Sequence, residues 1–183
     1  MHIPNKTILF DINQILDKMN IEEGQSVADF GCGNFGYFVF PLAKSVGKKG
    51  KVFAVDILKD ALKEVGNQAS SHNLNQIQTV WTDLEIFNAT KIQTESLDSA
   101  IMINVINQAD NRLNMLKEVT RLLKSNGKLA IVEWKKEDIP LGPETEKRLS
   151  ADYLEQMCSR VGLKIKEKFE AGKYHNGLIL TKL

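Results

Sequence analysis

The stretch Val27-Ala28-Asp29-Phe30-Gly31-Cys32-Gly33-Asn34-Phe35-Gly36-Tyr37-Phe38 decides the fold of this chain. A short apolar run closes on a glycine-rich loop, with an acidic residue two places before the first glycine. Twenty residues after Gly36 a second apolar run, Val52-Phe53-Ala54-Val55, ends at Asp56. Glycines at a strand end let backbone approach a ligand closely, because no Cβ intervenes. An acidic residue closing the next strand is placed to hold the two hydroxyls of a ribose. Together these features point to an adenosine-containing cofactor.

Strand and helix alternate around that loop. Ile8, Ile12, Ile15, Leu16 and Met19 recur at helical spacing and predict an amphipathic helix over 6–20, a lid or flank of the site. Strands are expected at 26–30, 51–55, 77–81, 97–103 and 128–134. Helices are expected at 37–46, 59–71 and 113–123, and over 150–161 behind a Ser150 cap. The segment 84–96 reads as loop with a helical turn, and the polar segment 135–148, holding Pro140, Gly142 and Pro143, as a loop whose charged stretch Lys135-Lys136-Glu137-Asp138 is solvated. Two last strands, 163–169 and 178–181, are joined through Gly172 and Gly177 with no room for a helical crossover, so they should pair antiparallel. The expected fold is one α/β domain over 1–183: a doubly wound, seven-stranded, mostly parallel sheet with an antiparallel last strand.

The bulk composition narrows the function. Lys plus Arg total 24 and Asp plus Glu total 23, so the basic excess of a typical nucleic-acid binder is missing and a small-molecule substrate is expected. Cys32 and Cys158 form neither a disulfide framework nor a zinc pattern. His2, His72 and His175 are too dispersed to argue a metal site, and no metal is expected. The first residues lack the apolar core of a secretory signal, and no apolar run reaches membrane-spanning length. A cytoplasmic enzyme is the expectation, with its oligomeric state open.

With these residues in hand, the chain resembles the class I S-adenosylmethionine-dependent methyltransferases over nearly its full length. Asp29-x-Gly31-x-Gly33 looks like the family's first motif, and Asp56 matches the acid that ends its second strand. Thr82-Asp83 matches the position that meets the adenine amino group, and Asn104-Val105-Ile106 the segment that lines the methyl-donor pocket. The run from Leu116 to Leu129, with Glu118-Val119-Thr120-Arg121 inside it, is similar to the family's segment before strand five. The small single-domain branch that methylates quinone precursors and other small metabolites looks closest. The resemblance implies S-adenosylmethionine as methyl donor and S-adenosylhomocysteine as product. It implies a cofactor site built from Asp29, Gly31, Cys32, Gly33, Asp56, Ile57, Asp83, Leu84 and Asn104. In one departure, Asn34 and Phe35 separate Gly33 from Gly36, where the family usually has a single residue. The loop therefore also fits Gly-x-Gly-x-x-Gly, the nicotinamide-dinucleotide fingerprint. Asp29, Asp83 and the C-terminal hairpin favour the methyltransferase. A methyltransferase of RNA or protein, a nicotinamide-dependent oxidoreductase and a non-catalytic cofactor-binding module stay open as alternatives.

Each candidate carries a plainer reading beside the functional one. Asp29 can simply hold the loop, and Asp83 can cap a turn. Cys32 between glycines fits a small filler better than a nucleophile. Asn104, Asn107 and Gln108 either touch a ligand or cap the next helix. The acceptor side is expected among the N-terminal helix, the 135–149 loop and the last hairpin, with at least one of Trp134, Tyr174 and His175 lining the pocket. His175 is the first candidate for a general base, should the acceptor need to lose a proton.

Overall fold

The structure is a computed structural model and describes residues 9–183. Seven strands form one sheet: β1 (Ser26–Phe30), β2 (Lys51–Asp56), β3 (Ile77–Trp81), β4 (Leu97–Ile103), β5 (Leu123–Trp134), β6 (Leu163–Glu170) and β7 (His175–Lys182). Five helices flank it: α1 (Ile12–Met19), α2 (Val39–Val46), α3 (Lys59–Ser71), α4 (Arg112–Leu122) and α5 (Ala151–Arg160). The strand order is β3-β2-β1-β4-β5-β7-β6. β1 to β5 pair in parallel, while β7 runs antiparallel to both β5 and β6. This is the expected doubly wound, mostly parallel sheet.

Alternation along the strands builds a core on each face. Ala28 and Phe30, Ala100 and Met102, and Leu129 and Ile131 point to one side, against Leu116, Val119 and Leu122 of α4 and Leu154 and Met157 of α5. Val27, Ala54, Ile101, Ala130 and Val132 point to the other. There they meet Ile12 and Ile15 of α1, Val39, Leu42 and Val46 of α2, and Leu62 and Val65 of α3. Successive side chains of a strand face opposite ways, so a strand buried on both faces reads as a continuous apolar run.

Element ends differ from expectation for local reasons. The helix expected over 6–20 is seen as α1, whose start is set by Asp11; its carboxylate accepts from Asn13 N (3.0 Å) and Gln14 N (3.5 Å). Residues 6–8 lie outside the described residues. α2 begins at Val39, which leaves Tyr37 and Phe38 in the glycine loop rather than on the helix. Leu123, expected on a helix, turns straight into β5 instead. β7 starts at His175 and takes Gly177 into the ladder, where it stands opposite Phe169 and leaves room for that ring. Segment 84–96 is irregular, and the buried Glu118 ties it down by accepting from Asn88 N (2.7 Å) and Thr90 N (2.9 Å).

Candidate functional site

The chain runs outward from β1 to β3 and then returns to β4 on the other flank of β1. Open α/β sheets bind ligands beyond the strand ends at such a switch point. Two cavities meet there. One of about 450 Å³ is lined by Asp56, Ile57, Leu58, Thr82, Asp83, Leu84, Val105 and Met115, among others. The second, of about 340 Å³, is lined by Leu9, Phe10, Asp29, Cys32, Phe35, Tyr37 and Phe38, among others. Gly31, Gly33, Ile103 and Asn104 line both, so the end of β4 and the glycine loop form their common boundary.

The glycine loop is stitched to β2: Gly31 N and Cys32 N both donate to Val55 O, at 2.8 and 3.1 Å. Gly31 has φ +77°, and a Cβ there would lie 2.4 Å from a methyl of Val105. No other residue type fits this approach of the β4 loop. Asp56 is buried, and backbone donors aim its carboxylate: Oδ2 accepts from Gly33 N and Oδ1 from Leu58 N, both at 2.9 Å. A carboxylate accepts about four hydrogen bonds, so lone pairs remain for a diol in the first cavity. Asp83 lines the same cavity and also accepts from Glu85 N (2.9 Å), so the turn-capping reading holds alongside. Ile57 and Leu84 supply apolar sides to that cavity.

Asp29 sits in the second cavity at 3% exposure. Burial first, and the charge of Asp56 second, push its carboxyl up to about 8. A cation brought against it would draw the proton off. Burial also pushes the Cys32 thiol up, and the charges of Asp29 and Asp56 push the same way. The thiolate is the nucleophilic form, so Cys32 serves as a small wall residue. Asn104 holds φ +59°, a left-handed conformation that Asn tolerates better than most residues. Its N–H donates to Val132 O (2.8 Å), while its buried Oδ1 has no partner among the described residues. An unmet buried acceptor costs about 1–3 kcal/mol, so this oxygen is open to a ligand donor in either cavity.

Two buried residues that sequence reasoning passed over shape the site. Glu133, at the end of β5, accepts from Ile106 N (2.6 Å), Asn107 N (3.4 Å) and Asn107 Nδ2 (2.7 Å). Asn107 Oδ1 in turn accepts from Leu149 N (3.0 Å). The turn after β4 is therefore tied to β5 and to the 135–149 segment. Burial pushes the Glu133 carboxyl up to about 7, against its amide donors and the charge of Arg112. Its signal was an acid closing an otherwise apolar strand. Arg148 is 2% exposed, and its guanidinium donates to the carbonyls of Lys135, Glu137, Ile139, Leu141 and Pro143 at 2.7–3.3 Å. The segment 135–148 is thus a loop whose charged side chains Lys136, Glu137 and Asp138 are exposed, as expected, while its backbone wraps around one buried cation. Nothing in the local spacing announced it.

Trp134, Tyr174 and His175 line neither of these two cavities. Tyr174 is half-buried under Lys173, whose Nζ lies 5.2 Å from its ring centre. His175 is fully buried, 4.2 Å from the Trp134 ring centre and 5.4 Å from that of Phe10. Burial, then the charges of Arg148 and Lys135, push its imidazole down to about 4. A ring so placed is neutral at pH 7.

Known proteins share this fold. A family described as a methyltransferase domain matches residues 21–174. The chain belongs to that methyltransferase family. A crystal structure of a SAM-dependent methyltransferase from Aquifex aeolicus is 26% identical to it, with a TM-score of 0.87 over 98% of this chain and 94% of that one. Among curated relatives, a demethylmenaquinone methyltransferase from Staphylococcus epidermidis is 26% identical over 156 residues, 85% of this chain and 62% of the relative. A ubiquinone/menaquinone biosynthesis C-methyltransferase from Hahella chejuensis is 27% identical over 127 residues, 69% of this chain and 49% of the relative. The chain thus spans about three fifths, or less, of the length of these two relatives. No described helix is long and apolar enough to cross a membrane. The residues that line the two cavities fit S-adenosylmethionine. Asp56 keeps acceptors open for hydroxyls, the Asp29 carboxyl is open to a cation, and Asn104 Oδ1 is buried without a partner among the described residues.

Proposed function

We infer that the chain transfers a methyl group from S-adenosylmethionine to a small acceptor carrying a planar apolar ring. The observation that carries this reading is Asp56, a buried carboxylate fixed by Gly33 N and Leu58 N at the edge of the larger cavity. Hydrogen bonds to a charged acceptor are the stronger kind, and a vicinal diol is the group that matches two aimed oxygens. Bound there, S-adenosylmethionine supplies a methyl group on a positively charged sulfur, a good leaving group.

The chain's own residues then have simple duties. Ile57 and Leu84 flank a flat base, and Asp83 accepts from its amino group. Gly31 and Gly33 keep backbone close without side chains in the way. Asp29 faces the ammonium of the amino-acid end. Asn104, lining both cavities, borders the point where donor and acceptor meet. Holding nucleophile, methyl carbon and sulfur in line supplies much of the acceleration in such a displacement.

The acceptor side is aromatic: Phe10, Phe35, Tyr37 and Phe38 line the smaller cavity. Such walls suit a flat apolar ring, as do the quinone-related names of the curated relatives. The even balance of 24 basic and 23 acidic residues supports a small molecule over a nucleic acid. Calorimetry tests the donor half: S-adenosylhomocysteine should bind, and NAD and NADP should bind far more weakly. Tight NAD binding with no response to S-adenosylhomocysteine would overturn it. Transfer of labelled methyl from S-adenosylmethionine to 1,4-dihydroxynaphthalene tests the acceptor half.

A further inference from the structure

His175 is the polar group hardest to explain as structure. It is fully buried, and neither Nδ1 nor Nε2 has a hydrogen-bond partner among the described residues. Leaving a buried polar atom unmet costs more than a typical hydrogen bond gains, and native proteins keep few such atoms without a reason. An apolar ring at this position would avoid the cost. Two cations face the imidazole: Arg148, held by the backbone carbonyls around it, and Lys135, which is paired with Glu170 (3.2 Å).

The imidazole lies close to the acceptor side. Phe10 stands edge-on to it at 5.4 Å and meets Phe38 at 5.9 Å on another side. Phe10 and Phe38 both line the smaller cavity, next to Asp29 and Asn104. A single aromatic ring therefore separates that cavity from His175. The segment carrying that ring rests on bare backbone: a Cβ on Gly172 would lie 2.4 Å from Leu9 O and 3.2 Å from Phe10 Cα.

We propose that His175 is an acceptor-binding residue, reached from the smaller cavity when the Phe10 ring swings aside, and that it accepts a hydrogen bond from a hydroxyl on a planar aromatic acceptor. The acceptor ring takes the space of the Phe10 ring against Phe38. The charges of Arg148 and Lys135 keep the imidazole unprotonated, so its free nitrogen accepts, and they favour negative charge on the oxygen that donates to it. This inference rests on the methyltransferase reading, because the cavity it extends is the one beside the methyl donor.

The probes are 1-naphthol, which carries the hydroxyl, and naphthalene, which lacks it, each titrated into protein saturated with S-adenosylhomocysteine. Calorimetry should give 1-naphthol an affinity about tenfold above that of naphthalene, the scale of one buried hydrogen bond. Imidazole nitrogen NMR should show one histidine shifting with 1-naphthol alone, and that signal should be missing from His175→Phe. His175→Phe should erase the preference for 1-naphthol while S-adenosylhomocysteine still binds and the melting temperature holds or rises. Phe10→Ala should keep or strengthen 1-naphthol binding. The proposal is overturned if 1-naphthol fails to bind, binds no better than naphthalene, keeps its advantage in His175→Phe, or is lost in Phe10→Ala. Failure of S-adenosylhomocysteine itself to bind refutes the methyltransferase reading instead, and with it this one.

Discussion

Replacing Glu133 by Gln probes the buried brace beneath the site. The wild-type carboxylate accepts from Ile106 N, Asn107 N and Asn107 Nδ2, and no hydrogen-bond acceptor among these three needs a donor from it. Gln offers one oxygen and one amide, so a donor of the variant confronts a donor of Asn107. That mismatch costs about 1–3 kcal/mol. The opposing effect is relief of a buried charge. Burial lifts the Glu133 carboxyl from the usual 4.5 to about 7, which is worth roughly 3 kcal/mol at about 1.4 kcal/mol per pH unit. The folded protein holds this proton more tightly than the unfolded chain, so between pH 4.5 and about 7 folding is coupled to proton uptake. The contribution is fully present below 4.5 and is lost as pH rises through about 7. Gln does not titrate. The parent loses stability over this range and the variant does not, so the stability difference should move by roughly 3 kcal/mol in favour of Glu133→Gln between pH 5 and pH 8. Asp29 titrates over an overlapping range, but it is present in both proteins and drops out of their difference. Urea unfolding of the two proteins at pH 5 and pH 8 gives the answer. Parallel stability curves across that range would refute the reasoning.

The site yields three further expected outcomes. S-adenosylhomocysteine should bind more tightly as pH rises towards about 8, because its ammonium must draw the proton from Asp29; calorimetry in buffers of different ionisation enthalpy should detect proton release, and Asp29→Asn should release none. Gly31→Ala combines a left-handed φ of +77° with a 2.4 Å approach to Val105, so it should cost more than about 2 kcal/mol; a melting temperature equal to the parent's would contradict this. Asp56→Ala should weaken S-adenosylhomocysteine about tenfold or more, and unchanged affinity by calorimetry would end the ribose assignment.

Much of the fold was legible because it is written in local patterns. Short apolar runs, each succeeded by helical periodicity, mark β1 and β2 and the helices that follow them. The missing crossover before β7 foretold its antiparallel pairing. The acids at the ends of β1, β2 and β3 could be placed for the same reason: strand ends on one side of a parallel sheet converge. The illegible part depends on contacts between distant segments. Glu133 meets Asn107 from 26 residues away, and nothing near either residue announces the other. His175 looked like a turn residue because Gly177 suggested a break. Only the opposing Phe169 ring makes glycine suitable inside that strand. Arg148 looked like one more charge in a polar stretch, since carbonyl groups leave no trace in a sequence.

That arginine has a consequence for how this part of the chain can vary. Its five partners are main-chain oxygens, and every residue type supplies the same oxygen. The side chains between Lys135 and Pro143 are thus free to drift, except at Gly142, where φ is +82° and a Cβ would lie 2.7 Å from the Trp134 ring. The spacing is not, because alternate carbonyls must arrive in order around one planar group. The segment should tolerate substitution well and tolerate insertion or deletion poorly, the reverse of an ordinary surface loop. Lysine cannot stand in for Arg148, since a single ammonium has three donors and no fork. Relatives in which this segment keeps its length but not its letters would still be wound on the same cation, and the arginine, with Gly142 beneath the Trp134 ring, would be what selection could not exchange.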